Sequence, residues 1–72
     1  MTEDDFIKVV ANNIRRIRLE KSIKQSEVAD LCDFERSNLR RIESGKNNLT
    51  LRSLYKISKA LGVDISDLIK GK

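Results

Sequence analysis

Apolar residues recur three and four positions apart along almost the whole chain, which is the spacing of one face of an α-helix. Phe6, Val10, Ile14 and Ile17 form the first stripe, with Lys8, Asn12, Arg15 and Arg16 on other faces. A helix is therefore predicted from about Thr2 or Asp4, where acids suit a helix N-terminus, to about Lys21, with Ser22 breaking it. A second helix from Gln25 to Cys32 would bury Val28, Ala29 and Cys32. A third starts at Glu35 or Arg36 and stops before Gly45, which suits a left-handed closing residue; Leu39 and Ile42 are its inner positions. Thr50 can cap a fourth helix, Leu51 to Leu61, whose inward stripe reads Leu51, Leu54, Ile57 and Leu61, and Gly62 ends it. Asp64 and Asp67 make an approximate capping pair for a last short helix carrying Leu68 and Ile69. No segment alternates like a strand. The expected architecture is all-α, a compact five-helix domain spanning residues 1–72.

The segment Gln25 to Ser44 satisfies several constraints together. Two short helices meeting steeply through a turn of three or four residues need a small residue where their backbones cross, and Ala29 supplies it. The turn needs a residue that tolerates positive φ, and Asp33 does so more readily than most. Val28, Cys32, Phe34, Leu39 and Ile42 fall at the offsets that point inward. The outward face of the second of these helices holds Arg36, Ser37, Arg40 and Arg41. This is the pattern of a helix-turn-helix.

Composition narrows the function. With 72 residues there is room for one core, one cysteine excludes a disulfide within the chain, and the lack of histidine removes ordinary zinc sites and the usual acid–base chemistry. Cys32 reads as a small core filler rather than a redox switch. No Gly-rich phosphate loop, signal-peptide core or membrane-length apolar run is present, so a cytoplasmic globular domain without cofactor, metal or catalysis is expected. Net charge is +4, and leaving out residues 1–5, which carry three acids and no base, raises it to +7. Between Arg36 and Lys59 seven bases face one acid, Glu43. Such a balance suits a polyanion, although a lysine-rich surface chosen for solubility reads the same way. Three aromatic residues are too few for a single-strand binder built on base stacking, and Phe6 and Tyr55 read as packing residues.

The runs Arg18-Leu-Glu-Lys-Ser-Ile-Lys-Gln25, Val28-Ala29, Arg36-Ser37-Asn38-Leu39, Arg41-Ile42-Glu43-Ser44-Gly45-Lys46 and Ile57-Ser58-Lys59-Ala60-Leu61-Gly62-Val63 resemble the Xre family. Its members are phage repressor and Cro-like DNA-binding domains and include the controller proteins of restriction–modification systems. The resemblance covers residues 10–69 and implies a lambda-repressor-like fold. Its third helix would enter the major groove, normally in a homodimer on a palindromic operator. Asn47-Asn48-Leu49-Thr50-Leu51 is similar to the controller branch. The chain departs from the family pattern at Ser22 and Asp33, where glycine is usual, at Lys24, where a capping Ser or Thr is usual, and at Leu49, where proline is usual.

The resemblance assigns roles residue by residue. Arg36, Ser37, Asn38 and Arg41 would read base edges, arginine favouring guanine, with phosphate clamping as the other role open to Arg36 and Arg41. Gln25 would meet a backbone phosphate at a helix N-terminus and brace the third helix. Lys46, Asn47 and Asn48 are expected phosphate binders, as are Lys24 and Arg15, while Arg40 could face phosphate or solvent. Arg18 and Glu43 are expected to form an internal ion pair rather than to touch DNA. Independently of the resemblance, dimerisation is expected to use apolar surface that so small a monomer cannot cover, around Leu61, Val63, Ile65, Leu68 and Ile69. With no effector domain, double-stranded DNA and a second copy are the expected partners, and no small-molecule effector is expected. The rival reading is an antitoxin-type module that sequesters a protein; the three residues after Ile69 are short for a toxin-wrapping tail.

Overall fold

The computed structural model describes residues 2–46 and 49–71. Five helices follow one another: α1 (Glu3–Glu20), α2 (Gln25–Cys32), α3 (Arg36–Glu43), α4 (Leu51–Leu61) and α5 (Ile65–Ile69). Local chemistry sets where they start. Thr2 Oγ1 accepts the Asp5 N–H at 3.1 Å while Asp5 accepts the Thr2 N–H, a reciprocal cap on α1. Thr50 Oγ1 accepts the Ser53 N–H at 3.0 Å and opens α4. Lysine cannot accept a hydrogen bond, so at α2 only the reverse half of the cap remains, Glu27 accepting the Lys24 N–H at 3.2 Å.

The first four helices all end in the same way. Ser22, Asp33, Gly45 and Gly62 have φ of 57°, 59°, 76° and 71°, the left-handed region. In each case the next residue donates its N–H five residues back: Ile23 to Arg18, Phe34 to Ala29, Lys46 to Arg41 and Val63 to Ser58. This satisfies carbonyls that the helix end leaves open. Ile23, Phe34 and Val63 then pack against the core, the apolar contact that normally completes this motif. Lys46 is exposed and does not.

α1 packs against α3, α4 and α5, α2 against α3 and α4, and α4 against α5. Val10, Ile14, Val28, Ala29, Cys32, Leu39, Ile42, Ile57, Leu61 and Leu68 are buried between them. Burial pushes the Cys32 thiol pKa up, against a smaller opposing pull from Lys56, so the reactive thiolate is suppressed. Asn13 is buried on α1, and its Nδ2 donates to the carbonyls of Leu68 at 2.9 Å and Lys70 at 2.8 Å. It ties the five-residue α5 to α1 by side-chain capping. No helix among the described residues is long and apolar enough to cross a membrane.

Two expectations from the periodicity, two from the dimer surface and one for an aromatic residue need correction. Phe6 (44% exposed) and Leu51 (81%) belong to predicted inward stripes but face solvent, because each lies in the first turn of its helix, beyond the reach of its neighbours. Leu61 and Leu68, expected at a dimer surface, are fully packed inside the monomer. A helix of five residues can bury little else, and Leu68 supplies the apolar anchor of α5. Tyr55 is half exposed, with Lys59 Nζ 5.4 Å from its ring centre.

Glycine relieves the cost of a left-handed backbone for an L-residue, which Ser22 bears. Ser22→Gly is expected to stabilise the domain by about 0.5–1 kcal/mol, read as a rise of a few degrees in Tm. Gly62→Ala should shift Tm the other way.

Candidate nucleic-acid interface

The fold turns one face of α3 outward. At about 100° per residue, Arg36, Arg40, Ser37 and Arg41 span an arc of about 140°, and all four are exposed. Leu39 and Ile42, on the opposite side, are buried. Asn38 lies at the edge of the arc and is half-buried. None of the four arginine and lysine side chains of this region, Arg36, Arg40, Arg41 and Lys46, is in an ion pair among the described residues. Unneutralised guanidinium groups are what a polyanion would meet.

Behind this face lies a buried polar network. Arg18 Nε donates to Glu43 Oε2 at 2.7 Å and Arg18 Nη2 to Glu43 Oε1 at 3.0 Å, a two-pronged contact between α1 and the last turn of α3. Arg18 Nη1 also donates to the Ile23 carbonyl at 2.9 Å, and Gln25 Nε2 donates to Glu43 Oε1 at 3.0 Å. The Arg18 and Glu43 side chains are 9% and 4% exposed. Two buried charges are thereby matched to each other and to neutral partners, which meets the condition for such a pair to be tolerated. The network joins α1, the turn after it, the start of α2 and the end of α3.

Gln25 is partly buried. It sits in the first turn of α2, and its amide nitrogen is held by Glu43. Lys24 and Arg15 are exposed. Asn47 and Asn48 lie outside the described residues. On the other flank, Lys56 of α4 places its Nζ 5.7 Å from the centre of the Phe34 ring, over the end of the helix-turn-helix turn. The sequence reading missed Asn13, whose single signal is an amide on an otherwise apolar face of α1. It also gave no role to Lys8, whose approach to Gly45 only the fold creates: a Cβ at Gly45 would lie 3.1 Å from Lys8 Cγ.

Two short helices packed on each other around a fully buried Ala29, a left-handed Asp33 turn and an exposed basic second helix define a helix-turn-helix protein. The family model described as Helix-turn-helix (HTH_3) matches residues 14–68, and the chain belongs to that family. Among curated proteins it is similar to the control protein C.BamHI of Bacillus amyloliquefaciens, with 46% identity over 57 residues, covering 78% of this chain and 70% of the relative. It is 37% identical over 65 residues to an uncharacterised HTH-type transcriptional regulator, y4dJ, of Sinorhizobium fredii, covering 90% and 84% of the two chains. Among solved structures, the restriction–modification controller protein C.AhdI of Aeromonas hydrophila superposes with a TM-score of 0.83 at 26% identity, over 86% of this chain and 94% of the other.

The buried network makes a two-part prediction. Glu43→Leu alone should cost about 3–5 kcal/mol, because it strands a buried guanidinium. Combining it with Arg18→Met should recover most of that loss, since an apolar pair of similar size needs no neutralisation. Urea unfolding of the wild type, both single variants and the double variant reads the coupling directly.

Proposed function

We propose that this protein is a transcriptional regulator that binds double-stranded DNA sequence-specifically, as a homodimer on a palindromic operator in the cytoplasm. The observation that carries this reading is the exposed arc Arg36–Ser37–Arg40–Arg41, without an ion pair among the described residues, on a short helix held from behind. A helix of this kind fits the major groove, where its N-terminal residues contact base edges. In this reading Arg36, Ser37, Asn38 and Arg41 read bases, each arginine suited to a two-pronged contact with guanine O6 and N7. Arg15, Lys24, Gln25, Arg40, Lys46, Asn47 and Asn48 hold the backbone. The Gln25 amide, fixed by Glu43 through one N–H, keeps its second N–H for a phosphate oxygen.

A second copy would supply the other half-site. With Leu61 and Leu68 committed to the core, Val63, Ile65 and the 39% exposed Ile69 remain as the apolar surface at that end of the molecule. Ile69→Asp should therefore shift sedimentation toward monomer while leaving Tm nearly unchanged. An intact dimer would place the interface elsewhere.

Reading and holding are separable. Arg41→Ala should cost roughly 1–3 kcal/mol per half-site and relax preference at one base pair. Lys46→Ala should weaken all sequences about equally and lower the salt slope by about one. Both follow from affinities measured across salt on a sequence selected from a random duplex pool and on its single-base variants. A uniform loss for Arg41→Ala with base preferences intact would make Arg41 a phosphate clamp. Failure of the wild type to enrich any sequence would overturn the whole reading.

A further inference from the structure

Three of the four left-handed helix ends are completed by an apolar residue packed on the core: Ile23 after Ser22, Phe34 after Asp33 and Val63 after Gly62. The end of α3 is built differently. Its following residue is Lys46, which is exposed. The space beside Gly45 is taken instead by another lysine from a distant part of the chain, Lys8 of α1. A side chain on Gly45 would meet Lys8 Cγ at 3.1 Å and the Lys8 Cα at 3.5 Å. The methylene stem of Lys8 thus takes the place of the missing apolar contact, while the residue as a whole remains exposed. A lysine used in this way buries its stem and keeps its ammonium in water. With φ of 76° and no side chain, Gly45 lets α1 come this close without strain.

The outcome is two lysines, thirty-eight positions apart in sequence, at the point where the chain leaves the basic helix. Neither is in an ion pair among the described residues, although Glu3, Asp4 and Asp5 precede Lys8 by about one turn; Asp5 is engaged in the cap with Thr2. Arg15, two helical turns after Lys8 on the same face of α1, continues the positive edge. Contact at Cβ and Cγ reduces the rotamers open to the Lys8 side chain, so less entropy is lost when its ammonium meets an anion.

We propose that Lys8 forms, with Lys46, a clamp on one stretch of the DNA backbone, extending the interface from the helix-turn-helix onto α1. This rests on the DNA-binding reading above. Lys8 supplies position and salt-dependent affinity and no base preference, because an ammonium on phosphate carries no sequence information. The competing role is structural: a cation near the C-terminal end of α3, interacting with that end of the helix.

The test is the dependence of duplex affinity on salt for the wild type, Lys8→Ala, Lys8→Arg and Lys8→Ala combined with Lys46→Ala. A duplex enriched by the wild type and an unrelated duplex of equal length are used, with Tm recorded for each variant. The expected result is a slope of log affinity against log salt reduced by about one in Lys8→Ala and about two in the double variant, on both duplexes. Between 50 and 200 mM salt, each lost contact should narrow the fall in affinity by about 3.5-fold. Lys8→Arg should restore the slope. A slope unchanged in Lys8→Ala, whether or not Tm falls, overturns the clamp and leaves the DNA-binding reading intact. Absence of duplex binding by the wild type overturns both.

Discussion

The buried contact between Arg18 and Glu43 is the constraint on which the working face depends. α3 is eight residues long, too short to hold its own shape or direction in water. Leu39 and Ile42 bury its inner side, but apolar packing alone leaves a short helix free to slide and rotate. The two-pronged guanidinium contact fixes its last turn against α1, and the Gln25 amide ties the same carboxylate to the start of α2. The third guanidinium nitrogen holds the Ile23 carbonyl, so the turn into α2 is fixed by the same group. Four segments meet on one ion pair, and the direction of the exposed arginines follows from it.

That arrangement separates two kinds of positive charge. Arg18 is spent inside the protein, matched by Glu43 and a carbonyl. The bases on the outer arc of α3 and at its end have no such partner among the described residues. A chain with 36% charged residues could have paired its surface charges with one another. Here the ion pairs among the described residues fall away from the arc, at Arg16 with Glu20, Arg18 with Glu43 and Lys70 with Asp67. The segregation leaves a field that favours a polyanion, which is the physical content of belonging to a helix-turn-helix family.

The helix ends show how a small domain tolerates imperfect local choices. Two of its four left-handed positions are held by serine and aspartate rather than glycine. Each is fixed by the same backbone bonds and, at Ser22 and Asp33, by an apolar residue immediately after it. Tertiary packing of Ile23 and Phe34 offsets the local strain. At Gly45 the packing comes from Lys8 instead, and a side chain there would bear a left-handed backbone and press on the Lys8 stem.

The sequence by itself determined the five helices, their caps and stops, and the helix-turn-helix within them. These features depend on residues within about one turn of each other, where the 3.6 period, capping side chains and turn residues act locally. It also determined which face of α3 is basic. What only the tertiary structure decided is how far each apolar stripe is covered. α1 is 18 residues long, but the helices packed across it have 5 to 11, so its first turn leaves Phe6 in solvent. Leu51 begins α4 and is exposed, whereas Ser58, on the same flank two turns later, is buried near the chain's return into α5. Leu61 lies in the core as its inward stripe directs, and so does Leu68, both of them also expected at a dimer surface, since periodicity gives the direction of a side chain but not the identity of what it meets. Asn13 on the last carbonyls of α5 and Lys8 across Gly45 are contacts between residues 55 and 37 positions apart. Local pattern carries no record of such distances; they exist because two helices happen to cross there.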